Sequence, residues 1–233
     1  MREIIIKITE TPLFGVIISL IAFEMGMYIF KKTKMALFNP LLIATIIVMS
    51  FLHFFVIPVK NYMLGANFVV FFLAPATVVL AVPLFQKINM LKKYFIPIIG
   101  GGIIGAITAI FSVIIIGKLL GINHDLLLSF MPKSITTPIG IEVSRMLGGI
   151  PSITVFAIVI TGITGNVSAP FIYSIFRVKH PVAKGLGLGI SSHAVGTSRA
   201  IQMGEIEGAM SALSIVIAGI LTLALAPLVK ILL

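Results

Sequence analysis

The sequence contains no cysteine, so it holds no disulfide framework, no thiolate zinc site and no thiol nucleophile. It is also short of charge. Only 10% of its 233 residues are Asp, Glu, Lys or Arg, against about 25% in soluble domains. A soluble fold of this length cannot cover its surface with so few charges. Acidic residues are scarcest, seven against 17 Lys and Arg, and Asp125 is the single aspartate. Neither HExxH nor GxSxG occurs, and Ser191, Ser192 and His193 adjoin in sequence without defining a nucleophile–base geometry. No enzymatic activity, cofactor or metal site is expected. Alternating strands of about ten residues are missing as well, which excludes a transmembrane β-barrel reading. Residues 1–10 do not read as a cleavable signal, because no small-residue cleavage site follows the first apolar run.

What remains is apolar. Hydrophobic residues make up 59% of the chain and the mean hydropathy is +1.20. The expected class is an all-α polytopic membrane protein, a helical bundle forming one transmembrane domain over 1–233. Spans are expected at 12–30, 40–59, 66–85, 94–117, 151–176 and 207–229, each long enough for a hydrocarbon core of roughly 30 Å. The formal charge of +10 would suggest nucleic acid in a soluble domain. Here the basic residues sit in short loops between apolar runs and set orientation instead, with no nucleic-acid partner expected. Lys31, Lys32 and Lys34 form one such loop, Lys87, Lys92 and Lys93 a second, and Arg177, Lys179 and Lys184 a third. Placing all three on the cytoplasmic side requires 126–142 to dip in and return without crossing. The location that follows is the cell membrane, with multiple passes.

Two stretches fit badly as simple spans. Residues 131–142 carry two prolines, three hydroxyls, a lysine and a glutamate within an otherwise apolar protein. Pro138 removes a backbone donor and crowds the preceding turn. Broken backbone at membrane depth survives only where protein buries it or where it lines a cavity, and such segments build many transporter sites. Lys133, Ser134, Thr136 and Thr137 offer donors to an anion, and a half-helix starting there adds the positive end of its dipole. Glu142 and Arg145, three apart, suit a structural ion pair better than a coupling-ion site. Residues 185–200 form the second stretch. Glycines alternate at 185, 187 and 189, and Ser191, Ser192, His193, Thr197, Ser198 and Arg199 follow. An intramembrane His or Arg is a functional candidate, and histidine can carry a proton near neutral pH. Asn166 divides evenly between helix–helix hydrogen bonding and site contact.

A faint repeat joins these features. A shift of 57 positions puts Leu73–Val78 on Phe130–Ile135 and Gly105 on Gly162. The repeat units are 66–122 and 123–179. Thr77 thereby becomes the counterpart of Ser134, and the plan is that of an inverted repeat with broken helices.

Four runs carry a family resemblance: LAPATVVLAVPL at 73–84, PKSITTPIGIE at 132–142, GLGLGISSHAVGTSRA at 185–200 and GEIEG at 204–208. In order, spacing and content they resemble the LrgB/CidB family of membrane proteins, related to the plastid glycolate/glycerate translocator. Ala74 stands where a glycine is common in that family, and Ser191–Ser192 where small alanines are common. The resemblance implies two rival functions. One is holin- or antiholin-like modulation of murein hydrolases and autolysis, often beside a small LrgA/CidA-like membrane partner. The other is carriage of small carboxylates such as pyruvate, glycolate or glycerate. The residues favour the carrier: a lesion-forming protein needs helices that oligomerise, not two polar, broken segments. A homo-oligomer is compatible with either, and the sequence identifies no coupling ion.

Overall fold

The computed structural model describes residues 9–35, 38, 40–72, 75, 78 and 81–231, without the side chains of 81, 83 and 84. The described secondary structure is α-helical and contains no strand. The chain divides into two compact units, residues 1–76 and 77–233.

The N-terminal unit contains α1 (Pro12–Thr33), α2 (Pro40–Phe54) and α3 (Val59–Phe71). Proline opens α1 at its first turn, where no amide is needed. The helices close on a small core of Ala22, Ala44, Val48, Leu52 and Ile57. Gly15 and Gly65 let α1 and α3 touch backbone to backbone: a Cβ on Gly65 would come within 2.8 Å of the Gly15 Cα. Ser19 and Tyr62 share a 3.0 Å hydrogen bond across the same contact. The expected span 40–59 ends early as a helix. At 15 residues, α2 is about 22 Å long, and Val56 at φ 52° turns the chain out of it. Of the expected span 66–85, α3 takes in 66–71, Pro75 and Val78 are helical and Ala81 opens a helix, while 73, 74, 76, 77, 79 and 80 lie outside the described residues.

The C-terminal unit contains α4 (Ala81–Gln86), α5 (Ile88–Lys93), α6 (Phe95–Leu119), α7 (His124–Phe130), α8 (Thr137–Leu147), α9 (Pro151–Ile175), α10 (Pro181–Met203) and α11 (Glu205–Lys230). Helices α1, α6, α9 and α11 are long and apolar enough to cross a membrane. The core of this unit is formed by residues such as Ile98, Ile110, Leu128, Met131, Val143, Leu147, Met210 and Leu213.

Between the spans α6, α9 and α11 lie two hairpins. The first is α7, an irregular turn, and α8. Leu127 on the way in packs where Gly117 near the end of α6 leaves room, and Leu147 on the way out accepts a hydrogen bond from Lys230 at the end of α11. Further in, Gly140 faces Ile158. Both arms therefore start and finish at one end of the unit, as a re-entrant segment does.

The second hairpin is α10 itself. It is helical throughout except at His193, whose φ 43° and ψ −137° break it in two. In a straight helix Gly185 and Ile201 would stand about 24 Å apart. Instead Gly185 abuts Glu207 and Ile201 abuts Gly208, both in the first turn of α11. Leu188 and Ala200 share one buried cluster with Ala169. Residues 181–192 thus enter the unit and residues 194–203 return beside them. Each arm is about 15–18 Å long, half a hydrocarbon core. Its base lies with Tyr173 at the end of α9, opposite the base of the first hairpin.

Candidate functional site

The glycines of 185–189 explain how a hairpin fits between two spans. Gly185 and Gly189 face α11: a Cβ on Gly189 would lie 2.9 Å from the Ser211 Cα. Gly187 faces α9, where the Tyr173 hydroxyl is 2.9 Å from where its Cβ would be. Gly162 and Gly165 on α9 admit the tip, the first against the His193 ring and the second against Ser192. Gly105 on α6 admits Ile190. The contacts at 105 and 162–165 fall near the midpoints of α6 and α9, so the tip lies halfway along the bundle.

The tip of the first hairpin reaches the same level. Lys133 and Ser134 line a cavity of about 800 Å³ together with Ser191 and Ser192 of the second tip. The spans add Thr108 and Ser112 from α6, and Thr161, Thr164 and Ser168 from α9. Lys133 lies 3.4 Å from Ser134 Oγ. Among the described residues the only ion pair joins Glu142 to Arg145, so Lys133 has no carboxylate partner there. Several hydroxyls donate to their own helix: Thr108 to the Ile104 carbonyl, Ser168 to Thr164 and Ser191 to Gly187, each at 2.7 Å. Such a hydroxyl still accepts, and it donates outward once its rotor turns.

The other expected site residues divide by role. Thr136 stands, buried, at the N-cap position of α8 without a side-chain capping bond, and its Oγ1 has no partner among the described residues. Thr137 is the first residue of α8 and stands outside the cavity lining. His193 makes the break; its Nε2–H donates to the Ile158 carbonyl at 2.9 Å, which fixes the ring's orientation away from the lining. Thr197 Oγ1 takes up the carbonyl of His193 at 3.0 Å and meets Ser211 Oγ at 2.7 Å. Asn166 donates to the Val195 carbonyl at 2.8 Å and to Ser198 Oγ at 3.2 Å, tying α9 to the returning arm. Arg199 donates to Gln202 from its outer nitrogen, while its Nε is buried without a partner among the described residues. Glu142 and Arg145 pair at 2.7 Å on an exposed face of α8. Thr77 lies outside the described residues.

Sequence reasoning missed the hydroxyls of the spans. Thr161, Thr164 and Ser168 recur at three and four residues, which puts them on one helical face. That period was the available signal.

These elements define a multi-pass α-helical membrane protein with two re-entrant hairpins meeting at one largely apolar cavity that carries several hydroxyls and one lysine. The family comparison then fixes the kinship. The LrgB-like family model matches residues 19–232, and the chain belongs to that family. Curated relatives named "Antiholin-like protein LrgB" from Bacillus cereus and Bacillus anthracis are 37% identical over 221 residues, covering 94% of this chain and 96% of theirs. No solved structure matches.

Proposed function

We propose that this protein carries a small organic monoanion across the cell membrane through the cavity between the two hairpin tips. The observation that carries the reading is Lys133: a cation without a carboxylate partner, beside Ser134 and facing Ser191 and Ser192 in one cavity. A charge at this depth is costly unless something answers it, and an anion with its own hydrogen-bonding groups does so. The hydroxyls around it exchange their helix-carbonyl bonds for bonds to the ligand. One fixed cation suits one carboxylate, so two- and three-carbon monocarboxylates such as glycolate, glycerate and pyruvate are the first candidates. Thr136, Thr137, His193, Thr197, Ser198, Arg199 and Asn166 support this reading as the frame of the two tips, and Thr77 as a counterpart of Ser134. Two tips entering from opposite ends suit alternating access, since either can withdraw while the other holds the ligand.

The relatives' antiholin-like name favours a second reading, a holin- or antiholin-like membrane protein; the family resemblance adds modulation of autolysis beside a small membrane partner. A carrier saturates, and a lesion leaks without selectivity. Purified protein in liposomes is expected to take up labelled glycolate or pyruvate saturably, with competition by unlabelled analogues, while retaining an entrapped dye. Dye release without saturable uptake of any carboxylate would support the second reading and reject the first.

A further inference from the structure

The base of the second hairpin carries a pocket that the transport reading does not use. It has a volume of about 380 Å³ and is lined by Tyr173, Ser174, Arg177, Lys179, Lys184 and Met203, with Pro170 at its edge. Three of these are cations. None lies within 4 Å of a carboxylate, since the only ion pair among the described residues is elsewhere. Glu205 and Glu207 open α11 at the same end and remain unpaired with them. The three charges come from one short stretch, and the fold holds them together. The Val178 amide bonds to the Tyr173 carbonyl at 2.9 Å and the Arg177 amide to Ser174 at 3.2 Å, which turns Arg177 to φ 51°. That left-handed conformation usually falls to glycine. Tyr173 then donates to the Lys184 carbonyl at 2.7 Å, which fixes the start of α10 against the end of α9. The Ser174 hydroxyl has no partner among the described residues and remains able to donate. The amino end of α10 begins beside the cluster and adds its positive dipole end.

We propose that this pocket binds the phosphodiester headgroup of an anionic phospholipid. A soluble anion would need only the charges. A lipid also needs apolar surface beside them: Pro170, Val178 and Met203 line the pocket with the charges, and Phe171, Ile175 and Phe176 are exposed at the same level on the other sides of the end of α9. The pocket sits where a span ends, which is the level of headgroups. Basic pockets between membrane helices on the cytoplasmic side suit such lipids, and the positive loops assign this end to that side. Arg177 supplies a planar fork for two phosphate oxygens; Lys179 and Lys184 supply point charges.

Native mass spectrometry of the full chain tests this, with phosphatidylglycerol, phosphatidylcholine and inorganic phosphate as the probes. Phosphatidylglycerol is expected to bind more tightly than phosphatidylcholine. Each charge removed weakens it about fivefold, so Arg177→Gln with Lys179→Gln weakens it roughly 30-fold. Lys179→Gln with Lys184→Gln leaves the Arg177 turn untouched and is expected to do the same. Lys31→Gln with Lys32→Gln, which removes equal charge elsewhere, should leave the site's affinity unchanged. Equal binding of the two lipids, or equal weakening by the control pair, overturns the proposal. Displacement of phosphatidylglycerol by inorganic phosphate at matching concentration assigns the pocket to a soluble phosphate instead and overturns it too.

Discussion

The two hairpins reach one cavity from opposite ends, but they turn by different physics. The first turns through an irregular segment, 131–136, between two prolines that deny the helix its donors. Its arms are held by a buried hydroxyl network. Thr154 Oγ1 stands 2.8 Å from the Ser129 carbonyl and 2.7 Å from Ser144 Oγ, and the Ile150 amide donates to Ser129 Oγ at 2.7 Å. With one proton of its own, Thr154 donates either to the Ser129 carbonyl or to Ser144 Oγ. The second hairpin has no loop. It reverses on one residue, His193. Its arms pack closely on glycines, and Asn166, Tyr173 and the Thr197–Ser211 pair add hydrogen bonds to the neighbouring spans. The first hairpin thus leans more on buried hydroxyls, and the second more on glycine contacts that bring backbones together.

The largest effect should fall on the charge. Lys133→Gln keeps the length and hydrogen-bonding capacity of the side chain approximately and removes its charge. A hydrogen bond to a charged group contributes about 1.5–3 kcal/mol, so carboxylate uptake in liposomes should fall about 10- to 100-fold. Unchanged uptake would remove the cation from the site and with it the main reason for an anionic substrate.

Next in size are substitutions that attack each mode of support. At Gly189 an added methyl meets main chain of α11 that has no room to retreat. Gly189→Ala should destabilise the protein by about 1–3 kcal/mol, as overpacking does. Gly100→Ala, whose Cβ meets nothing within 4 Å, is the matched control and should be neutral or slightly stabilising. Thr154→Val keeps the shape and deletes the hydroxyl, leaving the Ser144 hydroxyl and the Ser129 carbonyl short of a partner. It should cost about 1–2 kcal/mol. Thermal unfolding in detergent reads all three. A silent Thr154→Val would mean that the first hairpin is held by packing as well, and the contrast between the two would collapse.

His193 sharpens the same contrast with a smaller effect on uptake. Glycine adopts its backbone conformation freely, which is worth about 1 kcal/mol, and loss of the ring's bond to Ile158 costs about as much. The ring is buried, so its loss also leaves a cavity; His193→Gly should therefore cost about 1–3 kcal/mol of stability and leave uptake by folded protein within about twofold of the natural protein, a difference near 0.5 kcal/mol. Near-complete loss of uptake in a normally folded variant would show that the ring itself handles ligand or proton.

Much of this was legible in the chain and some was not, for physical reasons. The spans α1, α6, α9 and α11 are apolar runs long enough for a bilayer, and length and hydropathy suffice to find them. Lys133 and Ser134 stood out because a lysine, prolines and hydroxyls clustered in an apolar chain, whereas in the second segment His193, Thr197, Ser198 and Arg199 were expected as ligands and Ser191 and Ser192 line the cavity instead. The reversal at His193 was hidden. A positive φ usually announces itself as glycine, and here three-dimensional packing imposes it on a histidine amid good helical context. Thr161, Thr164 and Ser168 were overlooked because a lone hydroxyl in an apolar helix normally satisfies itself on the preceding turn. Only the two tips, placed opposite them, turn that face into part of a cavity. Ser191 and Ser192 also show why adjacency misleads. Their oxygens lie 2.9 Å apart, while the neighbouring His193 faces Ile158 across the break, so the three side chains form no relay.

The smallest effect belongs to Glu142 and Arg145, on the first hairpin but outside its support. Three residues apart on α8, they pair at 2.7 Å with both side chains largely exposed. An exposed pair at this spacing contributes about 0.3–0.5 kcal/mol, because holding two long side chains costs entropy and solvent screens the attraction. Neither residue lines the cavity. Glu142→Gln and Arg145→Gln, singly or together, should therefore shift thermal unfolding marginally and leave uptake and its dependence on pH and sodium unchanged. A coupling-ion role predicts the opposite: Glu142→Gln would abolish the ion dependence while Arg145→Gln spared it. That asymmetry separates a coupling carboxylate from a surface pair, because breaking a pair from either side has the same consequence and removing an ion ligand does not.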